Sequence, residues 1–144
     1  MERIEQYLDF MVHILRADGV VEEVEKQQFM AMMVEGLQLR PEVVERYRGQ
    51  LEAKSWDPPT DHQLAALGEG LDPGSLSHMV KDGYSMAWAD GNIDPAEQEL
   101  IQRFLVAVGI PESRLADIDN WARISLEVAR KGQILFRPVQ PVSG

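Results

Sequence analysis

Apolar residues recur at intervals of three and four along most of the chain, which is the spacing of one face of an α-helix. The first segment shows this spacing at Ile4, Leu8, Met11 and Leu15, and Gly19 follows it, as glycine often does just past a helix end. No segment alternates apolar and polar residues for long enough to predict a strand. The spacing therefore predicts an all-α fold in which each helix buries one face against its neighbours.

Glycine and proline divide this pattern into about seven helices, because neither residue continues a helix well. The helices are predicted over residues 4–15, 22–36, 41–51, 61–68, 75–89, 94–108 and 111–128. Ser75 is expected to cap the fifth helix. The second is expected to bury a face made of Val24, Phe29, Met32, Met33 and Leu37. Residues 134–136 are the best strand candidate, but they are too short and isolated to build a sheet. The last helix is expected to pack through Leu115, Ile118, Trp121, Ile124, Leu126 and Val128.

A chain of 144 residues fits one domain. We expect residues 1–131 to form a helical domain and residues 132–144 to form a C-terminal tail. The segment from Arg130 to Arg137 is basic and apolar in an acidic protein. Three arrangements of it stay open: it folds back onto the bundle, pairs with another subunit, or is disordered.

The chain has no cysteine, which excludes disulfides, thiol nucleophiles and zinc sites built on thiolates.

The formal net charge of −10 argues against nucleic acid as the main partner, because phosphate binding needs clustered Lys and Arg. No apolar run approaches the roughly 20 residues that span a bilayer. Membrane insertion is therefore not expected, while peripheral association stays open. The first residues, Met1 to Glu5, are acidic and amphipathic, whereas a secretory signal begins basic and continues apolar. We therefore expect a cytoplasmic location.

One sequence pattern occurs twice, 72 residues apart. Residues 17–25 and residues 89–97 both read Ala-Asp-Gly, any residue, Val or Ile, an acid, any two residues, and Glu. Each copy follows a predicted helix and opens another, which indicates two similar halves. Residues 1–72 carry 15 acidic and 7 basic side chains, and residues 73–144 carry 9 and 7. Most of the negative charge therefore belongs to the first half, and it forms an acidic face if these side chains cluster in space.

The two segments each place three carboxylates around one turn, and hard cations such as Ca²⁺ and Mg²⁺ prefer such oxygen ligands. The spacing matches the second half of an EF-hand loop, with Glu seven residues after Asp, but the first half lacks its ligands. A simpler interpretation is that the acids only favour the N-terminus of the next helix. The candidate metal ligands are Asp18, Glu22, Glu25, Asp90, Asp94 and Glu97.

The repeated motif, in an all-helical domain of this size, resembles the TerB-like family. That family includes tellurite-resistance proteins and the N-terminal domain of DjlA-type membrane co-chaperones. The resemblance covers residues 4–128, while the Pro-rich break at residues 56–60 and the tail match no family motif. The co-chaperone signature His-Pro-Asp is also absent. The matching motif residues are Ala17, Asp18, Gly19, Glu25, Ala89, Asp90, Gly91 and Glu97.

This resemblance implies a compact bundle whose acidic loops bind a divalent cation, Ca²⁺ or Mg²⁺, or a protein partner. It further implies a role in stress or tellurite resistance without enzymatic activity. No catalytic or organic-cofactor residues are predicted, and the oligomeric state is left open. The alternative is a structural adaptor that binds no metal and contacts a protein partner through Met and Trp surfaces and the C-terminal tail.

Overall fold

The computed structural model describes residues 3–88 and 93–138. No residue within these two ranges lies in a strand, so the predicted all-α class is confirmed. A π-helical segment (Met32–Gly36) continues the second helix, and a 3₁₀ turn (Glu112–Arg114) precedes the last one. The α-helices are α1 (Arg3–Leu15), α2 (Glu23–Ala31), α3 (Pro41–Glu52), α4 (Asp61–Leu67), α5 (Pro73–Ala87), α6 (Pro95–Ala107) and α7 (Leu115–Leu135).

Helix α1 lies at the centre of the bundle, where it packs against α3, α4, α5 and α6. Its residues Leu8, Phe10, Met11 and Ile14 are completely buried. The ring of Phe10 lies 4.6 Å from that of Phe104 on α6, measured between centroids. Because burying one such side chain stabilises a fold by roughly 1.5–3 kcal/mol, this contact fixes the last turn of α6 against the middle of α1.

A buried polar side chain ties α1 to the end of α4. The amide of Gln6 donates hydrogen bonds to the carbonyl oxygens of Ala66, at 3.3 Å, and Glu69, at 2.8 Å. Carbonyl groups in the last turn of a helix have no partner within that helix. The Ala66 carbonyl also accepts a hydrogen bond from the Glu69 N–H, so Gln6 adds a second bond there and gives the Glu69 carbonyl, just past the helix end, a partner.

Helix boundaries follow local capping residues. At α4, Thr60 accepts a hydrogen bond from the backbone N–H of Gln63, whose side chain in turn accepts one from the Thr60 N–H. The expectation that Ser75 caps the fifth helix is wrong: Asp72 is the cap, and it accepts a 2.7 Å hydrogen bond from the Ser75 N–H. Helix α5 therefore begins at Pro73, whose missing N–H costs nothing at the first helical position.

Two of the predicted buried faces are wrong in part. Val24 is 65% exposed, whereas Phe29 and Met33 of the same predicted face are buried. In α7, Trp121 and Val128 lie in solvent, while Ala122 is fully buried. This last helix carries two apolar faces, and periodicity alone does not distinguish the one that packs. The α7 residues that contact the core are Leu115, Ile118, Ala122 and Leu126.

Helix α7 continues to Leu135, so most of the 134–136 strand candidate is helical. The proposed boundary at residue 131 lies within this helix, and the division into domain and tail stays a prediction, as does the relation between the two halves.

Among the described helices, none combines the length and the apolar character needed to cross a bilayer.

Candidate metal centre

The first Asp-Gly segment forms a tight turn directly after α1. The Oδ1 atom of Asp18 accepts a 2.9 Å hydrogen bond from the Val20 N–H, which fixes the carboxylate over the turn. Gly19 has a φ angle of 84°, a left-handed conformation that glycine adopts without strain. Val21 packs against the core, as expected, and so holds the turn in place.

The described part of the second segment leads directly into α6. The Oδ1 atom of Asp94 caps this helix by accepting hydrogen bonds from the N–H groups of Ala96, at 2.9 Å, and Glu97, at 3.1 Å. Ile93 packs against the core, as Val21 does in the first segment. Asp90, also a candidate ligand, lies outside the described residues.

The two segments meet in space, because α6 packs against α1. Asp18, at the end of α1, lies beside Asp94 and Glu97, at the start of α6. One carboxylate oxygen of each residue can be chosen so that all three lie within 4.8 Å of one another. One candidate ligand of the first segment therefore joins two of the second in a single cluster.

Glu97 is the most unusual member of the cluster. It is only 4% exposed, and its Oε2 atom is buried without a hydrogen-bond partner. Burial raises the pKa of this carboxyl to about 8, and the negative charges of Glu25 and Asp94 reinforce the shift, followed by those of Asp18 and Glu22. A buried carboxyl oxygen without a hydrogen-bond partner lowers the stability of the folded state. Glu97 is therefore an unfavourable residue at this position in the absence of a ligand.

Glu22 and Glu25 lie close enough to act on the cluster electrostatically, although neither belongs to the group of three. Burial raises the pKa of Glu25, and the nearby charges of Glu22 and Asp18 add to this effect. Glu22 stands at the N-cap position of α2 without a side-chain capping bond. The prediction that these acids only cap helices therefore fits Asp94 and does not explain the position of Glu22.

No basic side chain neutralises these acids within the described ranges. None of the ion pairs found there includes a residue of the cluster, Glu22 or Glu25. Lys26 is the nearest cation in sequence, and it contacts Glu23 and Glu52 at 3.1 Å each. The cluster therefore holds unbalanced negative charge.

The three carboxylates fit a divalent cation. Oxygen ligands lie about 2.0–2.1 Å from Mg²⁺ and about 2.3–2.6 Å from Ca²⁺, so two oxygens that share an ion lie at most about 4.2 Å apart for Mg²⁺ and about 5.2 Å apart for Ca²⁺. The oxygens of Asp18, Asp94 and Glu97, all within 4.8 Å of one another, meet the limit for Ca²⁺. The sequence identified these residues through their spacing, but it held no signal that Glu97 would be buried or that the two segments would combine.

In a comparison with protein-family models, the model described as "Tellurite resistance protein TerB" matches residues 6–120, well over half of the chain. No curated protein matches the chain. No solved structure matches it either.

Proposed function

The chain belongs to the TerB family of tellurite resistance proteins, and on this premise we propose that it is a non-enzymatic cation-binding protein. The proposed site holds one Ca²⁺ or Mg²⁺ between its two acidic segments. Asp18, Asp94 and Glu97 supply the protein oxygens, and Glu22 and Glu25 add negative charge around them. Asp90 remains a proposed ligand from the sequence pattern.

The observation that carries this proposal is the unpartnered Oε2 atom of Glu97. Helix capping accounts for the hydrogen bonds of Asp94, but it leaves a buried carboxyl beside four other acids unexplained. A divalent cation supplies the missing partner, because it coordinates the orphaned oxygen and offsets the repulsion among the carboxylates.

The role of the cation follows from the positions of its ligands. Asp18 lies in the turn directly after α1, and Asp94 and Glu97 open α6, so one bound ion would join two helices of the core. An ion that binds only the folded state stabilises it in proportion to the logarithm of ion concentration. We therefore propose that the cation sets the shape of the acidic face that a protein partner contacts in the cytoplasm. Nucleic acid is not among the proposed partners.

Calorimetric titration of metal-stripped protein with Ca²⁺ and Mg²⁺ tests the proposal. We expect one saturable site, with a dissociation constant on the order of 10–1,000 µM because only three protein carboxylates converge. The double variant Asp18→Asn/Glu97→Gln is expected to lose this binding. The control Asp57→Asn/Glu69→Gln removes the same charge from exposed positions elsewhere and is expected to bind as the parent does.

Two results would contradict the proposal. The first is the absence of binding heat at millimolar cation, which would leave the acids as helix caps. The second is equal loss of binding in the site variant and the control, which would indicate diffuse attraction to an acidic surface and no coordination.

The adaptor alternative retains one supporting observation. Ile134, Leu135 and Phe136 at the end of α7 are 56%, 68% and 88% exposed, which is unusual for neighbouring apolar side chains. The Met residues give it less support, since Met11 and Met33 are fully buried. If the adaptor interpretation holds, truncation after Ala129 abolishes partner capture and Asp18→Asn leaves it unchanged.

A further inference from the structure

Helix α7 carries a second apolar stripe on the side away from the bundle. The spacings along this stripe are three, four and seven residues, which at 100° per residue place its members within about 40° of one direction. The packed residues Ala122 and Leu126 point the opposite way. The stripe consists of Trp121, Ile124, Val128 and Leu135, which are 41%, 50%, 66% and 68% exposed.

The stripe has the length and spacing of a helix-pairing surface. It extends from Trp121 to Leu135, or about 21 Å at 1.5 Å per residue. Its members occupy a and d sites of a heptad repeat, the pattern by which two helices interlock side chains, and Lys131 occupies the remaining d site. Ala122 is the one fully buried residue of α7, so this helix borders the bundle on one side only.

Charge is distributed unevenly along the same helix. Its beginning and the turn before it carry three acids and one base, with Asp117 in the first turn of α7. The third acid, Asp119, already pairs with Arg123 of the same helix at 3.8 Å and accepts a hydrogen bond from Gln98 of α6. Its end carries Arg130, Lys131 and then Arg137, and no acid follows Glu127. Parallel pairing of two such helices would set like charges side by side, whereas antiparallel pairing sets the acidic end of each against the basic end of the other.

We propose that α7 pairs in antiparallel orientation with α7 of a second copy of this chain, through the stripe. A two-fold axis then crosses the middle of the helix, and each copy contributes the same residues. A single helix pair lies at or below the lower end of specific interfaces, about 1,200 Å² in total. The dimer is therefore expected to dissociate in the micromolar range and to depend on salt.

Sedimentation equilibrium of the full chain between about 5 and 200 µM tests the pairing, since this range brackets a dissociation constant in the micromolar range. The variant Ile124→Glu/Val128→Glu is expected to weaken the dimer on the order of 100-fold, because it brings four carboxylates into an apolar contact. The control Val34→Glu/Val106→Glu adds the same charge at positions that are 52% and 43% exposed on other elements, and it is expected to dimerise as the parent does. Circular dichroism establishes that both variants fold.

The direction of pairing is tested by spin labels, because a chain without cysteine accepts one label at a chosen site. A label at Asn120→Cys lies eight residues before Val128, near one end of the stripe. In an antiparallel pair the two labels are expected roughly 20 Å or more apart, and in a parallel pair about 10 Å apart.

Three results would overturn the proposal. A parent chain that stays monomeric at 200 µM excludes self-pairing. A control variant that dissociates as much as the stripe variant shows that net charge, and not the stripe, governs association. A chain that dimerises only after deletion of residues 139–144 shows that its own terminus occupies the stripe.

Discussion

Substitution of Glu97 by Gln is expected to stabilise the metal-free protein while it removes the cation site. The carboxyl is 4% exposed and has a pKa of about 8, against 4.5 when it is freely solvated. The folded state therefore holds a proton that the unfolded chain releases between pH 4.5 and pH 8. Because the unfolded state binds fewer protons in this interval, stability falls as pH rises through it.

The size of this effect follows from the two pKa values. Between pH 5 and pH 8, the linkage relation gives the parent a loss of roughly 3–4 kcal/mol that the neutral Gln side chain does not share. With a urea dependence of about 2 kcal/mol per molar, the midpoint difference between variant and parent grows by roughly 1–2 M over that range. The titrating groups away from this cluster are the same in both proteins and cancel in the comparison.

The assay is urea unfolding of both proteins at pH 5, 6, 7 and 8 in the presence of a chelator. We expect the two midpoints to lie closest at pH 5 and to separate as pH rises, with the variant more stable. Parallel pH profiles would refute the reasoning, because they would show that Glu97 ionises normally and that the folded state imposes no electrostatic cost at this position.

Three further predictions concern the cation and the packing. Cation affinity is expected to rise by tens of fold from pH 6 to pH 8, measured by calorimetry, because the ion displaces the proton of Glu97. Thr60→Ala is expected to destabilise the protein by about 1 kcal/mol in urea, since it removes the capping box of α4. Gly83→Ala is expected to cost about 1–3 kcal/mol in thermal unfolding, because the added Cβ would lie 2.8 Å from Ile14 and 2.9 Å from Phe10.

The helices could be predicted from sequence because their signals are local. Gly19 and Pro41, for example, mark an end and a beginning through backbone chemistry that needs no tertiary context. Which side of a helix is buried, in contrast, depends on tertiary packing. Trp121 and Val24 satisfy an apolar periodicity as well as the residues that pack, and only the positions of neighbouring helices decide between them.

The same difference between local signals and tertiary packing applies to the candidate site. The spacing of each Asp-Gly segment identified Asp18, Asp94 and Glu97 as separate carboxylates around two turns. Their combination into one cluster depends on how α6 packs against α1, which no local pattern encodes. The burial of Glu97 could not be predicted from the pattern either, because Glu25 occupies the equivalent position in the first segment and is partly exposed.

Crystals equilibrated with Mn²⁺, a divalent ion with a strong anomalous signal, test the central claim most directly. A cation site between the two acidic segments predicts one anomalous peak within about 2.6 Å of oxygens from Asp18, Asp94 and Glu97. A peak elsewhere, or no peak at millimolar Mn²⁺ and a pH above 8, where Glu97 is ionised, would contradict it.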